Sequence, residues 1–268
     1  PRRPLPGFVN RSLHVAMRQL VWLGFRRMVN QARRNVLGLG PWSLVHPGHV
    51  MLERRWPVVY GFSPAVVPPP PDWSDLIKVT GYWFLDEART WVPPVGLLDF
   101  LNAGPAPVYV GFGSMGGFDA AETSRLVVQA LNGRRAVLAA GWGGLDRKAL
   151  PENVHFVDSA PHDWLFPRMA AVVHHGGAGT TAAALRAGVP MAVVPFLGDQ
   201  PFWGWRMEQL GVAPRPIPRK QLTAQNLATA IAATDSPGMR ARAEHLGATI
   251  RSEDGVGQAV RIIEAALS

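Results

Sequence analysis

The sequence predicts an α/β protein whose parallel sheet is covered by helices on both faces. Three observations predict it. Short apolar segments alternate with segments of helical spacing, glycine-rich turns follow several apolar segments, and 47% of the 268 residues are hydrophobic against 17% charged. Apolar strands separated by helices are typical of βαβ units, in which both sheet faces are buried. A chain of this length and composition has enough apolar residues for a sizeable core.

The first segment predicts an amphipathic helix over residues 12–37, because apolar side chains recur at helical spacing and the arginines lie largely on the other face. Gly38 and Pro41 end this helix. A short strand is expected over residues 58–62. Four consecutive prolines at 68–71 follow, and they mark a stiff linker or a domain edge because proline fits neither a helix interior nor a central strand.

Strands and helices alternate regularly after Val79. The expected strands are 108–110, 135–140, 154–157, 171–174 and 191–194. The expected helices are 120–131, 178–187, 202–210, 224–233, 239–251 and 255–267. The predicted division of the chain is a first domain portion at 1–67, a linker at 68–104 and a second domain at 105–268. Ligands of such sheets bind beyond the carboxyl ends of the strands, so we expect the ligand-binding residues in the loops there.

Charge and cysteine content exclude several classes of protein. Without cysteine there are no disulfides and no thiolate sites. The net charge of +8 is confined to the first 35 residues, which hold eight arginines and no acid, so the remainder balances to zero. A uniformly basic nucleic-acid binder is therefore not expected. The arginines form a solvated helix face or attract an anionic membrane surface or an acidic partner. No apolar run approaches 18 residues, so we expect a cytoplasmic protein, with peripheral membrane contact through this helix as the alternative.

A glycine-rich loop, Gly111–Gly117, follows the first strand of the predicted sheet and matches the G-x-G-x-x-G pattern of dinucleotide-binding proteins. The nicotinamide version also needs an acid about 20 residues later, at the end of the second strand. The sequence at that place, Leu138–Trp142, has none, and Asp119 and Glu122 come too early. The loop suits phosphate oxygens because backbone amides can approach closely. A tight turn without a ligand is the alternative.

A second motif, His174–Thr181 with the sequence HHGGAGTT, runs from a buried strand into a helix. Its glycines let the backbone approach a ligand, and Thr180 and the first helical amides offer donors at the positive end of the helix dipole. A histidine beside these donors adds a charge-assisted hydrogen bond to a diphosphate. The alternative is that the histidines are structural residues of the core.

A third motif, Pro195–Phe202, fills the next strand-to-helix loop. Asp199 and Gln200 are adjacent polar groups at the same edge of the sheet. A carboxylate beside a carboxamide suits the vicinal hydroxyls of a sugar, since the first accepts hydrogen bonds and the second both donates and accepts them. The alternative for Asp199 is the cap of a helix.

Longer blocks of the sequence carry a resemblance to a known family. They are GFGSM, APHDWLFPRMAAVVHHGGAGTTAAALRAGVPMAVVPFLGDQPFWG, LTAQNLATAI and VTGYWFLD. With these blocks the chain, from about Val58 to its end, resembles the donor-binding half of the family 1 glycosyltransferases of GT-B fold. Within that family it is similar to the sterol glucosyltransferases and related natural-product enzymes. The resemblance implies a Rossmann-like donor-binding domain at 105–268, preceded by a remnant of an acceptor domain at 1–67.

The resemblance also implies where the diphosphate of the donor binds. Ser114 would contact the diphosphate, and His175 and Thr180 would hold its α- and β-phosphates. The residues implied for the diphosphate are Gly113, Ser114, His175, Gly177, Gly179 and Thr180.

For the rest of the donor, the resemblance implies that Asp199 and Gln200 grip the sugar hydroxyls. The segment around Pro161 would receive the uracil and its ribose. The residues implied for the nucleoside are Val157, Ala160 and His162. In plant relatives a tryptophan begins this signature and stacks on the base. Here Val157 stands near that place and Trp164 lies seven residues later, so the sequence leaves the stacking partner open.

The reaction implied is transfer of a sugar, glucose in this subgroup, from a UDP-sugar to a hydroxyl of a lipophilic acceptor such as a sterol or polyketide. The resemblance implies transfer with inversion and without a metal or other cofactor. The sequence fits, since it has no D-x-D motif and no tight cluster with ligand spacing. The family places its general base near the start of an acceptor domain, so we expect the base in a region that precedes this chain. His14, His46 and His49 are expected to be structural.

Two other functions stay open at this point. One is a non-catalytic nucleotide-sugar-binding module or regulatory subunit. The other is a nicotinamide-dependent oxidoreductase that uses the G-x-G-x-x-G match. The second alternative lacks the ribose-binding acid and leaves the HHGGAGTT and GDQ motifs without a role.

Overall fold

A computed structural model of the protein describes residues 6–87, 90–113, 120–140 and 150–267. The chain forms two compact units. The first unit consists of Pro1–Val59, Asp72–Lys78 and Ile262–Ser268, and the second consists of Tyr60–Pro71 and Val79–Arg261.

Helices and strands alternate through most of the described chain. The helices are α1 (Gly7–Asn35), α2 (Gly48–Glu53), α3 (Val95–Asn102), α4 (Ala120–Leu131), α5 (His162–Leu165), α6 (Ala178–Ala187), α7 (Gln200–Gln209), α8 (Ala224–Ala233), α9 (Pro237–Ser252) and α10 (Gly255–Leu267). The strands are β1 (Val58–Tyr60), β2 (Ile77–Val79), β3 (Val108–Gly111), β4 (Ala136–Ala139), β5 (Val154–Val157), β6 (Ala171–His174) and β7 (Met191–Val193). Short 3₁₀ helices follow α5 and precede α8.

The first unit is built on α1, which is held by the chain segment that follows it. Asn30 and Trp42 exchange two hydrogen bonds, at 3.0 and 2.7 Å, and Trp22 donates its indole N–H to the carbonyl of Ser43 at 3.3 Å. The helix begins at Gly7, five residues before the predicted start, because the carbonyl of Pro6 already accepts the amide of Asn10 at 3.0 Å. A proline before the first turn has no amide to leave unpaired.

The segment predicted as a linker contains regular structure. Strands β1 and β2 pair in a two-stranded sheet. Helix α3 follows Pro94 and buries Leu97 completely. An eight-residue helix covers barely two turns, so its apolar spacing is too short to stand out in the sequence.

The second unit confirms the predicted α/β architecture. Its five strands are all parallel and run in the order β5-β4-β3-β6-β7. Alternate side chains of each strand enter different cores. On β3, for example, Tyr109 belongs to the core beneath α6, α7 and α9, whereas Val108 and Val110 belong to the core beneath α4 and α8. Burial on both faces explains why these strands read as continuous apolar runs.

Candidate functional site

The carboxyl ends of β3, β6 and β7 lie side by side at one edge of the five-stranded sheet. Gly111 of β3 pairs with His174 of β6, and His174 pairs with Val193 of β7. At this edge each strand runs into one of the three loops that the sequence singles out. The register therefore brings the three motifs together at the place where parallel sheets bind their ligands.

The N-terminus of α6 offers backbone donors. Gly177 is the N-cap residue and has no side chain to cap the helix. Its carbonyl oxygen accepts both the amide and the hydroxyl of Thr181, each at 2.9 Å. Within the described part of the chain, the amides of Ala178, Gly179 and Thr180 find no acceptor. Unpaired amides at the positive end of a helix dipole form a binding site for an anion.

The ring of His175 lies between two glycines, one from each of the first two loops. A Cβ atom on Gly113 would stand 3.0 Å from Cε1 of His175, and a Cβ atom on Gly177 would overlap Nε2. Gly113 also has a φ of +60°, which side-chain-bearing residues rarely adopt. The Nδ1 atom of His175 is buried and has no hydrogen-bond partner among the described residues. The two glycines thus make room for a ring that has hydrogen-bonding capacity to offer a ligand.

The two adjacent histidines have different surroundings. His174 is fully buried, its Nδ1 accepts the amide of Gly176 at 3.1 Å, and its Nε2 lies 3.3 Å from the sulfur of Met191. Burial lowers the pKa of His174 to about 3. Burial also lowers the pKa of His175, but there the carboxylate of Asp199 opposes the effect. His174 therefore stays neutral, and His175 is the histidine that can respond to a bound anion.

The third loop presents one exposed carboxylate. Asp199 is exposed at the N-cap position of α7, makes no capping hydrogen bond, and accepts the indole N–H of Trp203 at 2.8 Å on Oδ2. Gln200 is only 5% exposed. Its Oε1 accepts the amides of Phe196 and Leu197 at 2.8 and 3.1 Å. Of the two side chains predicted to grip a sugar, Asp199 faces solvent, whereas the carbonyl oxygen of Gln200 holds the loop in shape.

The residues predicted to receive the nucleoside lie at the end of β5 and the start of α5. Val157 is 6% exposed, its side chain packs in the core, and its carbonyl oxygen accepts the amide of Ala140 at 3.0 Å. Ala160 is half-buried against the same core. The ring of His162 stacks on Phe166, with 4.3 Å between centroids and 15° between planes. Burial lowers the pKa of His162, and the carboxylate of Asp163 opposes this effect. The imidazole of His175 lowers the pKa of His162 further, so the two histidines interact.

A cavity of about 700 Å³ adjoins His162. Its lining residues are Phe84, Leu85, Asp86, Glu87, His162, Asp163, Pro167, Ala183, Arg186, Ala187 and Arg251. The indole of Trp164 is engaged elsewhere, with the guanidinium of Arg168 4.1 Å from its ring centroid and the ring of Trp91 at 4.9 Å. Trp164, a candidate to stack on the base, does not line this cavity. His162, which was predicted to receive the nucleoside, does.

Some predicted residues cannot be placed. Ser114, predicted to contact the diphosphate, lies outside the described residues, and so do Asp119 and Trp142. Among the residues that the structure describes, no group of three histidine, cysteine, aspartate or glutamate side chains is arranged to hold a metal ion. Metal independence remains a prediction from the family resemblance.

Sequence reasoning missed Trp203. Its indole bond to Asp199 spans four positions, from the N-cap residue into the first turn of α7. A tryptophan four residues after an aspartate at a helix start was the available signal, because side chains at that spacing are neighbours on a helix.

Comparisons with known proteins support the family resemblance. The family model of the erythromycin biosynthesis protein CIII-like C-terminal domain matches residues 137–265. A sterol 3-beta-glucosyltransferase of Arabidopsis thaliana is 43% identical over 245 residues, which cover 90% of this chain and 38% of that protein. These matches support the resemblance to family 1 of the GT-B glycosyltransferases. A sterol 3-beta-glucosyltransferase of Aspergillus fumigatus is 41% identical to this chain over 280 residues, covering 98% of the chain and 19% of the fungal protein.

Solved structures share the fold of this chain. The glycosyltransferase of kitacinnamycin superimposes with a TM-score of 0.70 at 22% identity, covering 98% of this chain and 68% of the other. UGT89C1 of Arabidopsis thaliana, complexed with UDP, gives a TM-score of 0.60 at 18% identity, covering 78% of this chain and 57% of the other. The chain thus spans less than half the length of the plant and fungal relatives named above. Among its described helices, none has the length and apolar character needed to cross a membrane.

Proposed function

We propose that the chain supplies the donor site of an inverting, metal-independent glycosyltransferase that moves glucose from UDP-glucose to a hydroxyl of a lipophilic acceptor such as a sterol. The observation that carries the proposal is the N-terminus of α6, where three free amides and the ring of His175 converge beyond the end of β6. A diphosphate placed there meets several donors and the positive end of a helix dipole at once. The names of the relatives support glucose and a sterol as the substrates.

In this proposal the site stabilises charge on the leaving group. When an acceptor oxygen attacks the anomeric carbon, the bond from that carbon to the diphosphate breaks and negative charge grows on the diphosphate. The α6 amides and His175 are preorganised around that charge, which is the form of electrostatic stabilisation that requires no rearrangement during the reaction. A His175 imidazole that takes up a proton as the charge develops adds a charge-assisted hydrogen bond.

The remaining parts of the donor follow from the same placement. Asp199 lies near His175, as its effect on the pKa of that histidine requires, so its exposed carboxylate can accept hydrogen bonds from the sugar next to the diphosphate. His162 lines the cavity, where the uracil can bind beside its ring. The general base is not assigned among these residues, because His175 and Asp199 are engaged with the donor and His174 is buried.

Calorimetry of the 268-residue chain tests the donor site. We expect UDP and UDP-glucose to bind and to compete with each other, and we expect TDP-glucose to show how strictly the base is read. NAD should neither bind nor displace UDP, because the chain has no acid at the end of β4 for the ribose of a dinucleotide. Binding of NAD without binding of UDP would contradict the proposal and favour an oxidoreductase.

The acceptor's lipophilic character suggests contact with a membrane surface, and α1 has a face that fits one. Six of its exposed apolar side chains recur at positions three, four, seven and eight residues apart and are each at least 53% exposed: Leu13, Met17, Leu20, Val21, Phe25 and Met28. On a helix of 3.6 residues per turn these form one stripe, away from the face that Trp22 and Asn30 pack against the following segment. Arg18 and Arg27 border the stripe on opposite sides. We propose that the stripe enters the headgroup region of an anionic bilayer while the arginines meet its phosphates.

Vesicle sedimentation at two salt concentrations tests this contact. The chain should sediment with vesicles that contain phosphatidylserine and not with pure phosphatidylcholine, and less so at high salt. Replacing Arg27 and Arg34 by glutamine should lower the partition coefficient about thirtyfold, at about 1 kcal/mol for each arginine. Glutamine at the exposed Arg215 and Lys220 of the second unit is the matched control. Equal sedimentation of both double variants, or none by the unsubstituted chain, would contradict the contact.

A further inference from the structure

We infer that Trp203 is a positioning residue for the donor sugar: its indole N–H fixes the Asp199 carboxylate so that the other carboxylate oxygen meets the hydroxyls of the sugar. The inference rests on the proposed function, since it concerns the residue behind the proposed sugar contact. It also explains why a large indole stands at this place in α7.

The backbone around Asp199 is fixed from both sides. Its carbonyl oxygen accepts the amides of Phe202 and Trp203 at 2.9 and 3.2 Å. The next residue, Gln200, holds the preceding loop through its Oε1 atom. With the backbone held in this way, the freedom left to Asp199 is rotation of its side chain.

The indole removes that freedom. Its Nε1 atom lies 2.8 Å from Oδ2 of Asp199, which is the length of a strong hydrogen bond to a carboxylate. Trp203 itself cannot move easily, because it is only 8% exposed and belongs to the core beneath α6. Its ring also packs edge-to-face with the ring of Phe202, with 5.2 Å between the two centroids. A rigid donor thus holds an exposed acceptor. Oδ1 makes no hydrogen bond within the described part of the chain, so it can accept hydrogen bonds from a ligand.

The same bond keeps two functional groups apart. The Asp199 carboxylate is near enough to His175 to raise the pKa of the imidazole, yet the two side chains form no ion pair. A carboxylate free to rotate could pair with a protonated His175 and compete with the diphosphate for it. By holding Oδ2, Trp203 leaves the imidazole to the diphosphate and the carboxylate to the sugar.

The test is the ratio of two dissociation constants, Kd for UDP-glucose over Kd for UDP, measured by calorimetry on the 268-residue chain. Trp203→Phe keeps an aromatic ring at this position but removes the indole N–H. We therefore expect the Kd ratio to rise about three- to tenfold while the affinity for UDP stays within about twofold. Trp205→Phe is the matched control, because Trp205 lies on the same helix and is 48% exposed. Its ratio should not change. A purely structural role for Trp203 would weaken both ligands alike.

A double-mutant cycle shows whether Trp203 acts through the carboxylate. In the Asp199→Ala background, Trp203→Phe should have no further effect on the ratio. Two results obtained with normal UDP binding would overturn the inference. One is an unchanged Kd ratio in Trp203→Phe, and the other is an equal rise of the ratio in the Asp199 and Asp199→Ala backgrounds. Failure of the unsubstituted chain to bind UDP would instead overturn the proposed function, and the inference with it.

A spectroscopic measurement covers the case in which Trp203→Phe does not fold. The indole N–H resonance of Trp203, identified by its displacement in Asp199→Asn, should shift when UDP-glucose is added to the unsubstituted chain and should stay in place with UDP alone. Identical responses to the two ligands would overturn the inference.

Discussion

Replacing Gly177 with alanine is expected to lower the affinity of the chain for UDP by roughly ten- to thirtyfold, about as much as loss of the His175 ring, which corresponds to about 1.4–2 kcal/mol. The added Cβ atom would overlap Nε2 of His175. The ring therefore has to leave its place beside the α6 amides. The backbone at Gly177, with φ −63° and ψ 141°, is open to alanine, so the fold should survive the change.

A double variant separates this steric effect from any other effect of the alanine. Once His175→Ala has removed the ring, the Cβ atom at position 177 has room, and Gly177→Ala should cost little further affinity. The measurement is calorimetry with UDP on the two single variants and the double variant, with thermal unfolding to confirm that each is folded. Additive losses would mean that the ring does not lie where the structure places it.

His175→Ala alone is expected to weaken UDP-glucose binding about ten- to thirtyfold at pH 7, the value of a hydrogen bond to a charged group. It should also abolish most of the pH dependence. In the free protein, burial lowers the pKa of His175 against the opposing influence of Asp199. A diphosphate beside the ring raises the pKa in the complex. The complex therefore binds more protons than the free chain, and affinity should rise as the pH falls from 8.5 toward 5.5.

The choice of ligand and the neighbouring groups decide how clearly this dependence can be read. UDP-glucose is used because a terminal phosphate, as in UDP, itself titrates near pH 6. His174 stays neutral through this range, since burial lowers its pKa to about 3, and the pKa of His162 is also lowered by burial. His175→Gln should flatten the profile, whereas His245→Gln, on an exposed part of α9, should leave it unchanged. A profile that is unaffected by His175→Gln would rule out proton uptake at this ring.

Most of the fold could be predicted from the sequence because its signals are local. Apolar runs indicate the buried strands, and apolar residues at helical spacing indicate the long helices. Glycines indicate the loops at the carboxyl ends of the strands. Pairing of Gly111 with His174 and of His174 with Val193 then follows from parallel strands that end at one edge. The sequence did not indicate helix α3, because eight residues give too little periodicity. It placed the start of α1 too late, because Pro6 contributes a single backbone hydrogen bond.

The candidate site could be predicted only in outline. Residue types predicted a phosphate-binding motif at His174–Thr181 and a sugar-binding pair at Asp199 and Gln200. The depth of each side chain is decided by tertiary packing: His174 and His175 are adjacent in the chain, yet one is in the core and the other lies between two loops. For the same reason the oxygen of Gln200 supports its own loop, and the side chain of Val157 packs in the core. The bond from Trp203 to Asp199 needs the exact start of α7, which the sequence placed two residues late.

The most direct test of the central claim is an amide chemical-shift map of the chain titrated with UDP. The account predicts that the amide resonances of Ala178, Gly179 and Thr180 move to lower field as they bond to the diphosphate, together with the ring signals of His175. Shifts confined to the cavity lined by Phe84 and Arg251, with the α6 amides unmoved at saturating UDP, would contradict it.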